Sequence, residues 1–239
     1  MVFILWSFSV FIAAMLLVVP FIFVISALFK GKKASDIISL FLNIWGWTFC
    51  IFTFFQIHTR NRNVLDPKKA YIYVSNHNSY LDAIAVVLAI PGSFKPLGKI
   101  EMVKIPVFGL VYKRIVVMID RASKESRAKS VEELKQDLAK GQSILIFPEG
   151  TMNRSNHALA DFYDGAFRLA IETQTPIAPM VILNARNLFP RADPLAASPG
   201  VITCVFDKPI EVSGLVADDL ETLKAKVYDS MEILIGVSS

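Results

Sequence analysis

From Val2 to Phe29 the chain carries no charged side chain, and only Ser7, Ser9, Pro20 and Ser26 interrupt the apolar run. A helix needs roughly 20 residues to cross the hydrocarbon core of a bilayer, so this stretch is long enough. A second uncharged run, Ile37 to Ile57, mixes Asn43, Thr48, Thr53 and Gln56 with many aromatics. Together the two runs explain a composition of 54% hydrophobic and 19% charged residues, unusual for a soluble domain. Beyond His58 the composition becomes ordinary, and about 180 residues remain, enough for one domain with its own core. The expected division is 1–58, membrane-anchoring helices, and 59–239, a globular domain.

The first run lacks the basic n-region of a secretory signal, is too long for an h-region, and is followed by lysines rather than a cleavage site. It reads as a retained anchor. Lys30, Lys32 and Lys33 lie between the runs, and Arg60, Arg62, Lys68 and Lys69 follow the second. Two full spans would put one of these clusters on the non-cytoplasmic side, against the positive-inside rule. If the first run spans or dips and the second lies in the interface, both clusters meet anionic headgroups on one side. Trp45 and Trp47 suit that interfacial position. The globular domain is therefore expected on the cytoplasmic face of a membrane. Cys50 and Cys204, each in an apolar stretch, form no disulfide framework and agree with that placement.

The remainder alternates between two periodicities. Strands are expected at Tyr71 to Val74, Ile115 to Ile119, Ile144 to Phe147, Ile177 to Leu183 and Val201 to Phe206. Helices are expected at Leu81 to Ile90, Ser126 to Lys140, Gly165 to Thr173 and Asp218 to Ile235, with Gly141 just past the end of the second. Alternation of this kind predicts an α/β fold, a mostly parallel sheet flanked by helices, with an N-terminal membrane-associated two-helix segment. Such sheets place their sites beyond the carboxyl ends of the strands. The two polar motifs of the chain, after Val74 and after Phe147, fall there.

The first motif is "SNHNSYLD". His77 and Asp82 are five apart, a spacing that separates two side chains around a continuous helix. They meet only if His77 precedes the helix and Asp82 sits in its first turn. Ser79 is then the N-cap and Asp82 the third residue of a capping box, which by itself is a purely structural arrangement. The functional alternative is that Asp82 holds one imidazole nitrogen while the other accepts a proton from a substrate hydroxyl. The second motif, "ILIFPEGTMNR", ends a strand at Pro148. Gly150 permits close backbone approach, and Glu149 and Thr151 could grip hydroxyls or orient donors. Arg121 and Arg154 are cations near strand ends.

Taken together, "NHNSYLD" and "FPEGT" resemble the signature blocks of the glycerolipid acyltransferases, the family of the 1-acyl-sn-glycerol-3-phosphate acyltransferases. "GKIEMVKIPVFG" with "VVMIDR" resembles the second block and "TPIAPMVI" the fourth, in the family's order, over about residues 70 to 183. The resemblance implies that His77 is the general base and Asp82 its orienting carboxylate. It implies that Glu149, Gly150 and Thr151 form the acceptor site, with Lys99, Arg121 and Arg154 as phosphate contacts. The co-substrate would be acyl-CoA or an acyl carrier protein, with no cofactor. The acceptor would be a lysophospholipid drawn from membrane lipids, first of all 1-acyl-sn-glycerol 3-phosphate, giving phosphatidic acid. One position departs: the family usually has Arg directly after EGT, and here it is Met152, which neither donates a hydrogen bond nor carries charge. Another lyso-lipid, for example an amino-acid-containing one, thus stands as an alternative acceptor. A catalytically silent lipid-binding protein is the alternative from a different class.

The other features read more simply. There is no G-x-S-x-G elbow for a serine hydrolase. With three histidines and neither C-x-x-C nor H-E-x-x-H, no metal site is expected. His58 belongs to the membrane junction and His157 to an exposed polar loop. The net charge of +4 gathers beside the apolar runs, which favours an anionic membrane over nucleic acid.

Overall fold

A computed structural model describes residues 2–238. Two helices open it, α1 (Val2–Leu28) and α2 (Gly31–Thr53), and both are long and apolar enough to cross a membrane. The globular part follows as β1 (Gln56–Arg60), β2 (Ile72–Ser75), α3 (Asp82–Ala89), β3 (Phe94–Lys99), α4 (Phe108–Ile115), β4 (Val117–Ile119), α5 (Lys124–Ala139), β5 (Ser143–Ile146), α6 (Gly165–Thr173), β6 (Ile177–Leu183), α7 (Ala185–Leu188), β7 (Val201–Phe206) and α8 (Leu220–Ser238). The strands form one seven-stranded sheet in the order β1-β7-β6-β2-β5-β3-β4. Every neighbouring pair is parallel except β6 with β7. The fold is the expected mostly parallel α/β sheet with a two-helix N-terminal segment.

Alternation along the strands sorts the core into two layers. Tyr71 and Tyr73 face α1, α2 and α3, whereas Ile72 and Val74 face α5, α6 and α8. The helical hairpin therefore covers one face of the sheet rather than standing apart from it. Gly46 of α2 shows how closely: a Cβ there would stand 2.9 Å from the Leu88 side chain of α3. Along α1, Phe11 meets Phe108 at 6.3 Å between ring centres, and the Arg114 guanidinium sits 3.5 Å over the Phe23 ring. The outer face stays apolar, with Leu5, Phe8, Leu17, Phe21 and Val24 of α1 and Ile44, Trp47 and Ile51 of α2 exposed.

Several elements differ from the sequence reading. The stretch expected as strand from Ile115 starts at Val117, because "FGLVYKRI" forms α4 and buries Val111 and Tyr112. "FKPLGK" was not foreseen as a strand, since Pro and Gly normally weaken one. It forms β3 because β5 and β4 flank it, with Pro96 opposite Leu145 and Leu97 opposite Val117. β1 was likewise unforeseen, and the division at residue 58 falls inside it.

Candidate active site

β2, β5, β3 and β4 run parallel, so their carboxyl ends share one edge. That edge brings together the segments after Ser75, Ile146, Lys99 and Ile119. Just past β2, the buried Asn76 continues the sheet with its side chain. Its Oδ1 accepts from the Ile182 N–H at 2.7 Å and its Nδ2 donates to the Ile182 carbonyl at 3.0 Å. The backbone is thereby free to turn His77 out of the strand.

His77 Nδ1 lies 2.8 Å from Asp82 Oδ2, and the same oxygen accepts the N–H groups of Asn78 and Ser79, each at 2.8 Å. Asp82 is fully buried at the start of α3, where the helix dipole also favours its charge. A carboxylate oxygen so placed only accepts, so Nδ1 carries the proton and Nε2 presents its lone pair. The ring stacks on Phe147 with centres 4.3 Å apart, and the side chain keeps 25% exposure. Asp82 Oδ1 has no hydrogen-bond partner among the described residues. The expected capping box is half made: Ser79 N–H reaches Asp82, but Ser79 Oγ accepts from Leu81 N–H rather than from Asp82.

Glu149 stands where a ligand-gripping side chain was expected, yet it faces inward. Its Oε1 accepts from His77 N–H at 2.7 Å and its Oε2 from Ala160 N–H at 2.9 Å, and it is only 3% exposed. Burial pushes its carboxyl above the usual range, an effect the two N–H bonds and the His77 side chain oppose. Each oxygen accepts one N–H of the chain's own backbone and the side chain is buried, so Glu149 holds the His77 loop in place. Asn153, also buried, donates its N–H to the His77 carbonyl at 2.7 Å and closes the clasp. Neither Asn76, Phe147 nor Asn153 was singled out in the sequence. The signal available was a polar or aromatic residue directly beyond a buried strand.

Gly150 has φ +68°, and a Cβ there would stand 2.9 Å from the Tyr163 ring and 3.3 Å from Arg121 Nη1. The guanidinium of Arg121 thus lies beside Gly150 of the PEGT turn. Lys99 ends β3 opposite Ile119, putting its cation on the same edge. Thr151 and Arg154 are exposed and Met152 is half-buried. Lys99, Arg121 and Arg154 have no ion-pair partner among the described residues. Burial, with a smaller push from Asp82, raises the Cys204 thiol to about 12, so it is a neutral core side chain and no nucleophile. No cluster of metal-ligating side chains occurs among the described residues.

A parallel α/β sheet with an apolar helical hairpin on one face and a His–Asp pair at its carboxyl edge defines the class of protein. Within it, the chain belongs to the Acyltransferase family, whose model matches residues 56–183. It is 30% identical over 178 residues to the human 1-acyl-sn-glycerol-3-phosphate acyltransferase alpha, covering 74% of this chain and 62% of that protein. The mouse protein of the same name is 29% identical over the same shares. The chain thus spans less than two thirds of the length of these relatives. A 1-acyl-sn-glycerol-3-phosphate acyltransferase of Haemophilus influenzae is 28% identical over 190 residues, 78% of each chain. The fold matches the crystal structure of the 1-acyl-sn-glycerophosphate (LPA) acyltransferase PlsC from Thermotoga maritima, with TM-score 0.77 and 19% identity over 98% of this chain and 95% of that one.

Proposed function

We propose that the protein transfers an acyl chain from a thioester donor, acyl-CoA or acyl carrier protein, to the free hydroxyl of 1-acyl-sn-glycerol 3-phosphate, giving phosphatidic acid. The observation that carries this is the buried Asp82 fixing His77 Nδ1–H at 2.8 Å, which leaves Nε2 as the base at an exposed edge. Nε2 takes the hydroxyl proton as the oxygen attacks the thioester carbonyl. The new C–O bond forms, the C–S bond breaks, and the imidazolium returns the proton to the departing sulfur. The nearby serine hydroxyls bond to the backbone, Ser75 donating to the Asn76 carbonyl and Ser79 accepting from the Leu81 N–H, which fits direct transfer without an acyl-enzyme. Lys99, Arg121 and Arg154, free of ion pairs, supply the charge for the acceptor phosphate. The names of the relatives support the same acceptor.

Met152 favours a second reading, in which the acceptor is a different lyso-lipid, because the charge after EGT is missing. The hairpin supports docking on one leaflet: α1 leans on α4 at Phe11 and again at Phe23, so bilayer does not surround it. The catalytic edge then opens at a cytoplasmic membrane surface.

The test is an assay of the purified protein against a panel of lyso-lipids with both donor types. Wild type is expected to acylate 1-acyl-sn-glycerol 3-phosphate, and His77→Ala to lose nearly all transfer while keeping fold and vesicle binding. Activity unchanged in His77→Ala would remove the proposed base, and no turnover with any acceptor would favour a silent lipid-binding protein.

A further inference from the structure

A second polar feature lies on the other flank of His77, away from Lys99 and Arg121. A cleft of about 490 Å³ opens between the loop after Asn153 and the end of β6, lined by Asn78, Asn156, His157, Asn184, Arg186 and Asn187. Its volume is in the range of ligand sites. Its walls are held in place by bonds of their own. Arg186 Nη2 donates to the Ser155 carbonyl at 2.6 Å, tying the loop to the start of α7. Asn153 Nδ2 donates to the His157 carbonyl at 3.1 Å, and Asn187 Nδ2 to Asn184 Oδ1 at 3.2 Å. The lining contains no carboxylate and ends at Asn78, the residue after the base.

We infer that this cleft binds the phosphopantetheine arm of the thioester donor. The chemistry separates the three ligand parts that must meet at His77. An acyl chain needs walls that are apolar throughout, whereas here Ala158, Ile182, Leu183 and Ile235 share the lining with five side-chain amides, His157 and Arg186. The acceptor phosphate has Lys99 and Arg121, without ion-pair partners among the described residues, on the opposite flank. The donor arm is a chain of secondary amides ending in a phosphate, and it matches side-chain amides beside one cation. With the arm on this flank, the thioester arrives at His77 from the β6 side and the hydroxyl from the β3 and β4 side. Coenzyme A and carrier protein share the arm, so the cleft serves either. The assignment rests on the acyl-transfer reading above.

The experiment replaces two exposed wall residues, Asn156→Leu and Asn187→Leu, singly and together, in the full chain. With acceptor saturating, the double variant is expected to raise the donor KM about tenfold, for acyl-CoA and acyl carrier protein alike. The kcat and the acceptor KM stay as in wild type. A rise in acceptor KM would make the cleft part of the acceptor site and overturn the assignment. A rise with acyl-CoA alone would mean that it reads the nucleotide, and no change in either would also overturn it. Direct binding of coenzyme A to His77→Ala protein by calorimetry separates this question from catalysis. Binding weakened by Asn156→Leu and Asn187→Leu supports the cleft even if no acceptor is ever turned over. Absent binding, or binding indifferent to the substitutions, ends it.

Discussion

The two edges of the sheet handle charge in opposite ways. At the carboxyl edge two buried carboxylates, Asp82 and Glu149, receive backbone N–H groups and, among the described residues, no lysine or arginine, while Lys99, Arg121 and Arg154 have no ion-pair partner among those residues. At the amino edge acids and cations neutralise one another: Lys95 pairs with Asp137 at 2.8 Å and Lys32 with Asp36 at 2.8 Å. Asp36 also takes the Ser93 hydroxyl, which Gln142 contacts in turn, so the start of α2 is bolted to the sheet there. One edge is a joint. The other keeps its cations free and uses its anions to shape a loop, which is what a site awaiting an anionic ligand requires.

If the carboxylates shape the loop, neutralising Asp82 should have the largest effect. Asp82→Asn presents an N–H2 to donors that now find Oδ2, and the imidazole loses the acceptor that fixes its tautomer. Steady-state assays should show kcat down about 10²–10⁴-fold with the acceptor KM little changed. A mild loss would mean that Asp82 serves only the helix start.

Glu149→Gln sharpens the same point. One amide oxygen can replace one carboxylate oxygen, but the amide nitrogen then faces a backbone N–H. Urea titration should show a loss of about 1–3 kcal/mol, with kcat falling because either orientation of the amide loosens the clasp between the His77 N–H and the Ala160 N–H. The pH dependence carries a sign. Burial raises the Glu149 carboxyl, so the native state holds this proton more tightly than the unfolded chain. Its contribution to stability is full below the ordinary carboxyl range and is lost as pH rises through the raised value. The Gln variant should lack that slope.

The free cations make a third expectation. Arg121→Ala should raise the acceptor KM about 10–100-fold, the loss of a charge-assisted contact, and leave the donor KM alone. Arg121→Lys should restore part of it, since a point charge lacks the planar fork. Met152→Arg should lower the KM for 1-acyl-sn-glycerol 3-phosphate if the missing charge sets acceptor choice; an unchanged KM would remove that role from Met152.

The contrast between the edges was only half legible in the sequence. His77 and Asp82 declared themselves because their spacing makes sense only across a strand-to-helix turn. The long strands β6 and β7 and the helix Gly165–Thr173 were readable from periodicity, since each buries a full face. The direction Glu149 faces was not readable. Its partners are the N–H groups of His77 and Ala160, and no side-chain pattern encodes a backbone donor brought in from 72 residues away. β3 was hidden for a related reason: "FKPLGK" is a poor strand by itself and is made one by neighbours that pair with it on both sides. The amino-edge joint was equally invisible, since Asp36, Ser93 and Gln142 are single polar residues in three separate segments.

The smallest effect is expected at that joint, and it is the control for the rest. Lys95 and Asp137 are largely buried, with side-chain exposures of 20% and 10%. Removing the cation by Lys95→Met leaves a mostly desolvated carboxylate, but water reaches part of it and the methionine stem keeps the packing. The expected cost is about 1–2 kcal/mol, read as a lower urea midpoint with unchanged slope. Below the unfolding transition, kcat and both KM values should equal those of wild type, because no bond from this pair reaches the His77 loop. If acyl transfer fell as it should for Glu149→Gln, the two edges would be coupled through β5 and β3. The division of labour between joint and site would then be wrong.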